Sequence, residues 1–177
     1  MRTIIAKMIY TAFFIALGIV LPVAFHAMPN AGSVLSPMHI PILLCGLICG
    51  VPFGLACGMI TPLLSSLLTG MPSVLSLPSM LCELAAYGVV SAFLMRFVRT
   101  KNQYADIYLS LIGAMLAGRL FYGIVNALIF RAGQYSLSIW ATSAFLTGIP
   151  GMIAQLILIP MLIVALQKAN LIENKYH

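Results

Sequence analysis

Lipid-compatible runs about as long as a bilayer crossing follow one another almost without pause along this chain. A spanning helix takes ~20 mostly apolar residues, and roughly five or six of them would consume nearly the whole sequence. A typical soluble domain carries ~25% charged residues. This chain has 7% charged and 62% hydrophobic residues, too little polar surface to face water. The same arithmetic leaves no room for a separate soluble catalytic or nucleotide-binding domain. The expected fold is an all-α integral membrane protein, one six-helix domain over residues 1–177.

The first span is expected from about Thr3 to Ala27. Arg2 and the apolar body behind it look like a signal peptide, but Val20-Leu21-Pro22-Val23 offers no small-residue cleavage site, so the segment reads as a retained helix. Met28 to Ser33 has loop composition. A second apolar segment, about Pro37 to Gly50, is short for a span, and Val51-Pro52 separates it from a third, about Phe53 to Thr69. After a loop from Gly70 to Pro78 come a fourth span to Phe97, a fifth from about Asp106 to Phe130, and a sixth from about Trp140 to Leu166.

Six spans put both termini on one side. Arg2, Lys7, Arg96, Arg99, Lys101, Lys168 and Lys175 then share that side, and Arg131 alone falls on the other. The positive-inside rule makes the terminal side cytoplasmic. The net charge of +6 is thus spent at segment ends, which speaks for topology and against nucleic-acid binding. Tyr10, Tyr135 and Trp140 lie near expected boundaries and read as interfacial anchors. No internal repeat is evident, which disfavours an inverted-repeat carrier.

Within Ile107 to Phe130 the only charge is Arg119. An Arg near the middle of a spanning helix costs about 2.5–3.5 kcal/mol, so it should face a partner or a polar cavity. Arg119, Tyr122 and Asn126 follow at steps of three and four and share one helix face, which Met115 extends. Glu83 and Tyr87, four apart, share a face of the fourth span. Glu83 is expected about two turns below the outer boundary and Arg119 about 16 Å below it. Two readings follow: a structural ion pair between Arg119 and Glu83, or a solute pocket that opens outward and is lined by both.

His39 opens the second segment and His26 closes the first; each reads as a boundary residue or as a hydrogen-bond partner of a solute. A metal site would need a third ligand at suitable spacing, and neither a metal nor a cofactor is expected. Catalysis is equally unsupported, because the chain has three acids, no HExxH and no phosphate-cradling glycine loop. Cys45, Cys49, Cys57 and Cys82 lie in apolar runs and are expected to be buried and unpaired. Glycines 46, 50, 54 and 58 recur every four residues and are expected to be contacts between helices.

The run SPMHIPILLCGLICGVPFGLACGMITPLLSSLLTGMP (36–72), with Gly118-Arg119 as a weaker second match, resembles the substrate-binding S component of energy-coupling factor (ECF) vitamin transporters. The resemblance covers nearly the whole chain. It implies a six-helix subunit of a bacterial plasma membrane that binds one vitamin near the outer surface. It also implies association with a membrane T subunit and two ATPases, the T subunit being contacted by small residues spaced AxxxA on the first helix, here Ala12 and Ala16. For the vitamin, Arg119 and His39 beside Asn126 and Tyr122 suit a small anion with hydroxyls and an amide; pantothenate comes first, with pyridoxine, a hydroxymethylpyrimidine or folate as alternatives. Outside that family, a self-sufficient small-solute channel or carrier and a non-transport membrane scaffold stay open.

Overall fold

The structure, a computed structural model, describes residues 3–25, 36–127, 142 and 148–172. Among them are six helices: α1 (Ile4–Phe25), α2 (His39–Cys49), α3 (Val51–Thr69), α4 (Leu77–Phe97), α5 (Gln103–Val125) and α6 (Ile149–Lys168). Five are long and apolar enough to cross a membrane, and α2 is not. Its 11 residues rise about 16 Å, roughly half of a ~30 Å hydrocarbon core. The expected second span is therefore a half-length helix.

Local sequence sets most boundaries. Gly50 ends α2 at φ +93°, a conformation that costs a glycine little. The break thus falls at Gly50 and not at Val51-Pro52: Pro52 stands in the first turn of α3, where its missing N–H would have no helical acceptor anyway. Gly70, at φ +73°, closes α3. Pro78 and Pro150 open α4 and α6 in the same way. Asn102 caps α5 by accepting from the Tyr104 N–H at 3.0 Å. Asp106 in the first turn accepts from both the N–H and the hydroxyl of Thr100 at 2.8 Å. The last described helix runs from Ile149, and the start expected near Trp140 lies outside the described residues.

Cross-helix contacts fix the directions. Added side-chain atoms at Gly54 and Gly58 would strike the Gly88 and Leu84 backbones, so α3 and α4 run antiparallel. Gly113 against Leu94 and Gly118 against Tyr87 make α4 and α5 antiparallel as well. Gly18 against Thr61 and Lys7 near Phe53 make α1 parallel to α3. Gln103 donates to Gln167 at 2.7 Å, joining the start of α5 to the end of α6. Lys7, Arg96, Arg99, Lys101 and Lys168 consequently gather at one end of the bundle, and Arg119 lies toward the other.

The core is built around α2, of which only Ile40 and Ile48 escape full burial. Its neighbours in the core include Phe14 of α1, Cys57 of α3, Leu84 and Tyr87 of α4, Ile107, Leu111 and Met115 of α5, and Ile159 of α6. Gly46, Gly54 and Gly58 are interhelical contacts as expected, whereas Gly50 is a turn with open space around it. The four-residue spacing therefore spans a helical hairpin, and both arms close on Gly88.

Cys45, Cys49 and Cys57 are buried and free, but Cys82 is exposed, because it sits on the outward side of α4 beside the inward Glu83. Tyr10 is more than a boundary anchor, since its hydroxyl donates to the Leu171 carbonyl at 3.0 Å. Arg2, His26, Arg131, Tyr135, Trp140 and Lys175 lie outside the described residues.

Candidate functional site

Glu83 stands six residues after the start of α4 and Arg119 six residues before the end of α5 at Val125. With the helices antiparallel, both lie about 9 Å from the same end of the bundle. This differs from the staggered depths expected from the sequence, and it is what lets the two side chains meet. His39 joins them because α2 is short: its first residue starts well inside the bundle rather than at the boundary.

The result is a compact buried cluster. Glu83 Oε1 lies 3.6 Å from Arg119 NH1 and 3.6 Å from His39 Nε2. The Glu83 and His39 side chains are 5% exposed and that of Arg119 12%, so all three are largely withdrawn from solvent. Tyr87, one turn along α4 from Glu83, sets its ring edge-on to the His39 ring with centroids 5.0 Å apart. Gly118 backs that ring: a Cβ at this position would come within 2.9–3.0 Å of three Tyr87 ring carbons. Gly118 is thus the small residue that lets Tyr87 lie flat against α5 and press on His39.

The hydrogen bonding of this cluster is incomplete. Neither ring nitrogen of His39 has a hydrogen-bond partner among the described residues, nor does Glu83 Oε1. A separation of 3.6 Å is beyond hydrogen-bond length, so neither the approach of Glu83 Oε1 to the Arg119 guanidinium nor that to the His39 ring is itself a hydrogen bond. Buried polar groups are nearly always satisfied, and those left open mark places where a further polar partner is due.

Tyr122 and Asn126 continue the Arg119 face toward the end of α5, half-buried and buried respectively. Asn126 donates one amide proton to the Tyr122 carbonyl at 2.9 Å, a bond that uses neither its second amide proton nor its carbonyl oxygen. Met115, one turn below Arg119, is buried in the core and forms an apolar floor. Of the expected site residues, the structure gathers His39, Glu83, Tyr87 and Arg119, and places Tyr122 and Asn126 above them on one face.

Ala12 and Ala16 are elsewhere and exposed, in a stripe on α1 with Ile5, Ile9, Val20 and Val23. The opposite face of α1, with Thr11, Phe14 and Gly18, is the one that packs into the bundle.

No curated protein and no solved structure matches this chain. A family model does, described as ECF transporter, substrate-specific component, over residues 6–163. That span includes all six helices but for the ends of α1 and α6, and with them every residue of the buried cluster. A multi-pass helical bundle with an open-ended polar cluster near one end is thereby accounted for: the chain belongs to the ECF transporter substrate-specific component family, the subunit of an importer that binds its substrate.

Proposed function

We propose that the chain captures a small water-soluble vitamin in the cluster of His39, Glu83, Tyr87 and Arg119, with Tyr122 and Asn126 completing the site on the outer side. Pantothenate is the first choice, and pyridoxine, a hydroxymethylpyrimidine and folate are the alternatives. The observation that carries the reading is the set of buried, unbonded polar atoms on His39 and Glu83 beside a guanidinium. A carboxylate-bearing ligand would engage the Arg119 fork, its hydroxyl or amide groups would take up the open valences of His39, Glu83 and Asn126, and Tyr87 and Met115 would supply apolar wall. Pantothenate carries each of these groups.

A fixed structural pair is the second reading, supported by the proximity of Arg119 to Glu83. The 3.6 Å spacing argues against it, because a buried pair offsets its desolvation only with good hydrogen-bond geometry.

As a transport binding subunit the protein is not an enzyme. Its family is typical of prokaryotic plasma membranes and works with the other subunits of an ECF module. In our reading the module consists of a T subunit and two ATPases, the basic end of the bundle is cytoplasmic, and the T subunit docks on the exposed α1 face at Ala12 and Ala16. Mass spectrometry of small molecules retained through purification in mild detergent, followed by calorimetry with pantothenate and pyridoxine, tests the substrate. A retained vitamin without an anionic group would overturn the role given to Arg119.

A further inference from the structure

At the basic end a cavity of about 510 Å³ opens between the turn joining α2 to α3 and the last turns of α4. Gly50 and Val51 form one wall, Ala92 and Met95 another, and Lys7 of α1 and Arg96 of α4 supply the charge. We propose that this cavity binds a phosphate group, as carried by an anionic phospholipid of the adjoining leaflet or by free phosphate. It is remote from the Arg119 cluster and does not rest on the vitamin reading.

Charge is the first argument. Among the described residues no carboxylate lines the cavity, and neither Lys7 nor Arg96 takes part in an ion pair. Two of the three acids are committed elsewhere: Glu83 lies in the Arg119 cluster and Asp106 accepts from Thr100. Two cations that share a cavity repel each other unless an anion comes between them. Lys7 is half-buried, with its ammonium 6.0 Å from the centre of the Phe53 ring, so it is held on the cavity side of α1. The first turn of α3, which shapes the wall, has no side-chain cap, so its amide protons add to the positive field.

Position is the second argument. Lys7 is in the first turn of α1 and Arg96 in the last turn of α4, and the ends of spanning helices are where lipid headgroups would meet them. Beside them Ile4 and Met8 on α1 and Phe93 and Phe97 on α4 are exposed, the two rings 4.4 Å apart. A phosphodiester seated between Lys7 and Arg96 could lay its acyl chains along these side chains, which free phosphate cannot use. The cavity volume falls within the range of small-ligand sites, ~300–1,000 Å³.

Native mass spectrometry of the full chain, released from mixed phosphatidylglycerol and phosphatidylcholine micelles, tests the site, with inorganic phosphate added in a second arm. Retention of phosphatidylglycerol is expected to fall about fivefold for Lys7→Gln or Arg96→Gln and about thirtyfold for both together. Arg99→Gln, the same charge change outside the cavity, should leave it unchanged. Val51→Trp fills the cavity without altering charge and should also lower retention. If inorganic phosphate gives a thermal shift that Lys7→Gln and Arg96→Gln remove, while phosphatidylglycerol is not retained, the site stands with a soluble source. Equal loss in Arg99→Gln and Arg96→Gln, equal retention of phosphatidylcholine, or neither lipid retention nor a phosphate shift would overturn the proposal.

Discussion

Arg119→Ala is expected to weaken vitamin binding by about 2–5 kcal/mol, the usual loss when one partner of a buried charge pair is truncated. Arg119→Lys should restore only part of it, because an ammonium cannot reproduce the two-pronged guanidinium contact. Glu83→Gln separates the two readings of the cluster. A structural pair predicts that both variants lose thermal stability without ligand, whereas a ligand site predicts a folded Arg119→Ala protein that fails to bind. Calorimetry and thermal melting of the purified variants decide, and unchanged affinity in folded Arg119→Ala would remove Arg119 from the site. Gly118 offers a test that touches no polar group. Gly118→Val must push the Tyr87 ring off His39, so affinity should drop, while Gly113→Ala meets only the tip of Leu94 and should bind normally.

At the level of the helices, two faces have opposite duties. The α3–α4 crossing depends on backbone approach at Gly54 and Gly88, where any side chain strikes the facing chain. Gly88→Leu should destabilise the bundle by about 1–3 kcal/mol, the usual cost of overpacking, or prevent its assembly; detergent melting curves measure this. The face of α1 that carries Ala12 and Ala16 is exposed, unlike the buried α3–α4 crossing. Ala12→Trp or Ala16→Trp should therefore leave vitamin binding near normal and impair ATP-dependent uptake by the assembled importer, because a bulky residue blocks the close approach of a partner helix. Lost binding with intact assembly would show that this face does not dock the partner.

Across the whole molecule, the separation of the basic end from the Arg119 end predicts that Asn102, in the loop between α4 and α5, is reachable only from the cytoplasm. Cys82 is exposed, so the label should be introduced as Asn102→Cys in a Cys82→Ser background; labelling from outside intact cells would invert the topology. The class of the protein, the rough limits of five spanning helices and the importance of Arg119 were legible from the sequence, because the bilayer imposes length and apolarity on every span and makes an internal charge expensive. Helix periodicity likewise put Arg119 with Tyr122 and Asn126, and Glu83 with Tyr87. What periodicity along single helices does not carry is the relative height of different helices. That α2 is a half-length helix delivering His39 to Glu83, that Gly118 seats Tyr87, that Gly50 is a turn rather than a packing contact, and that Lys7 and Arg96 share a cavity all depend on where antiparallel neighbours stop. Only close packing in three dimensions decides that.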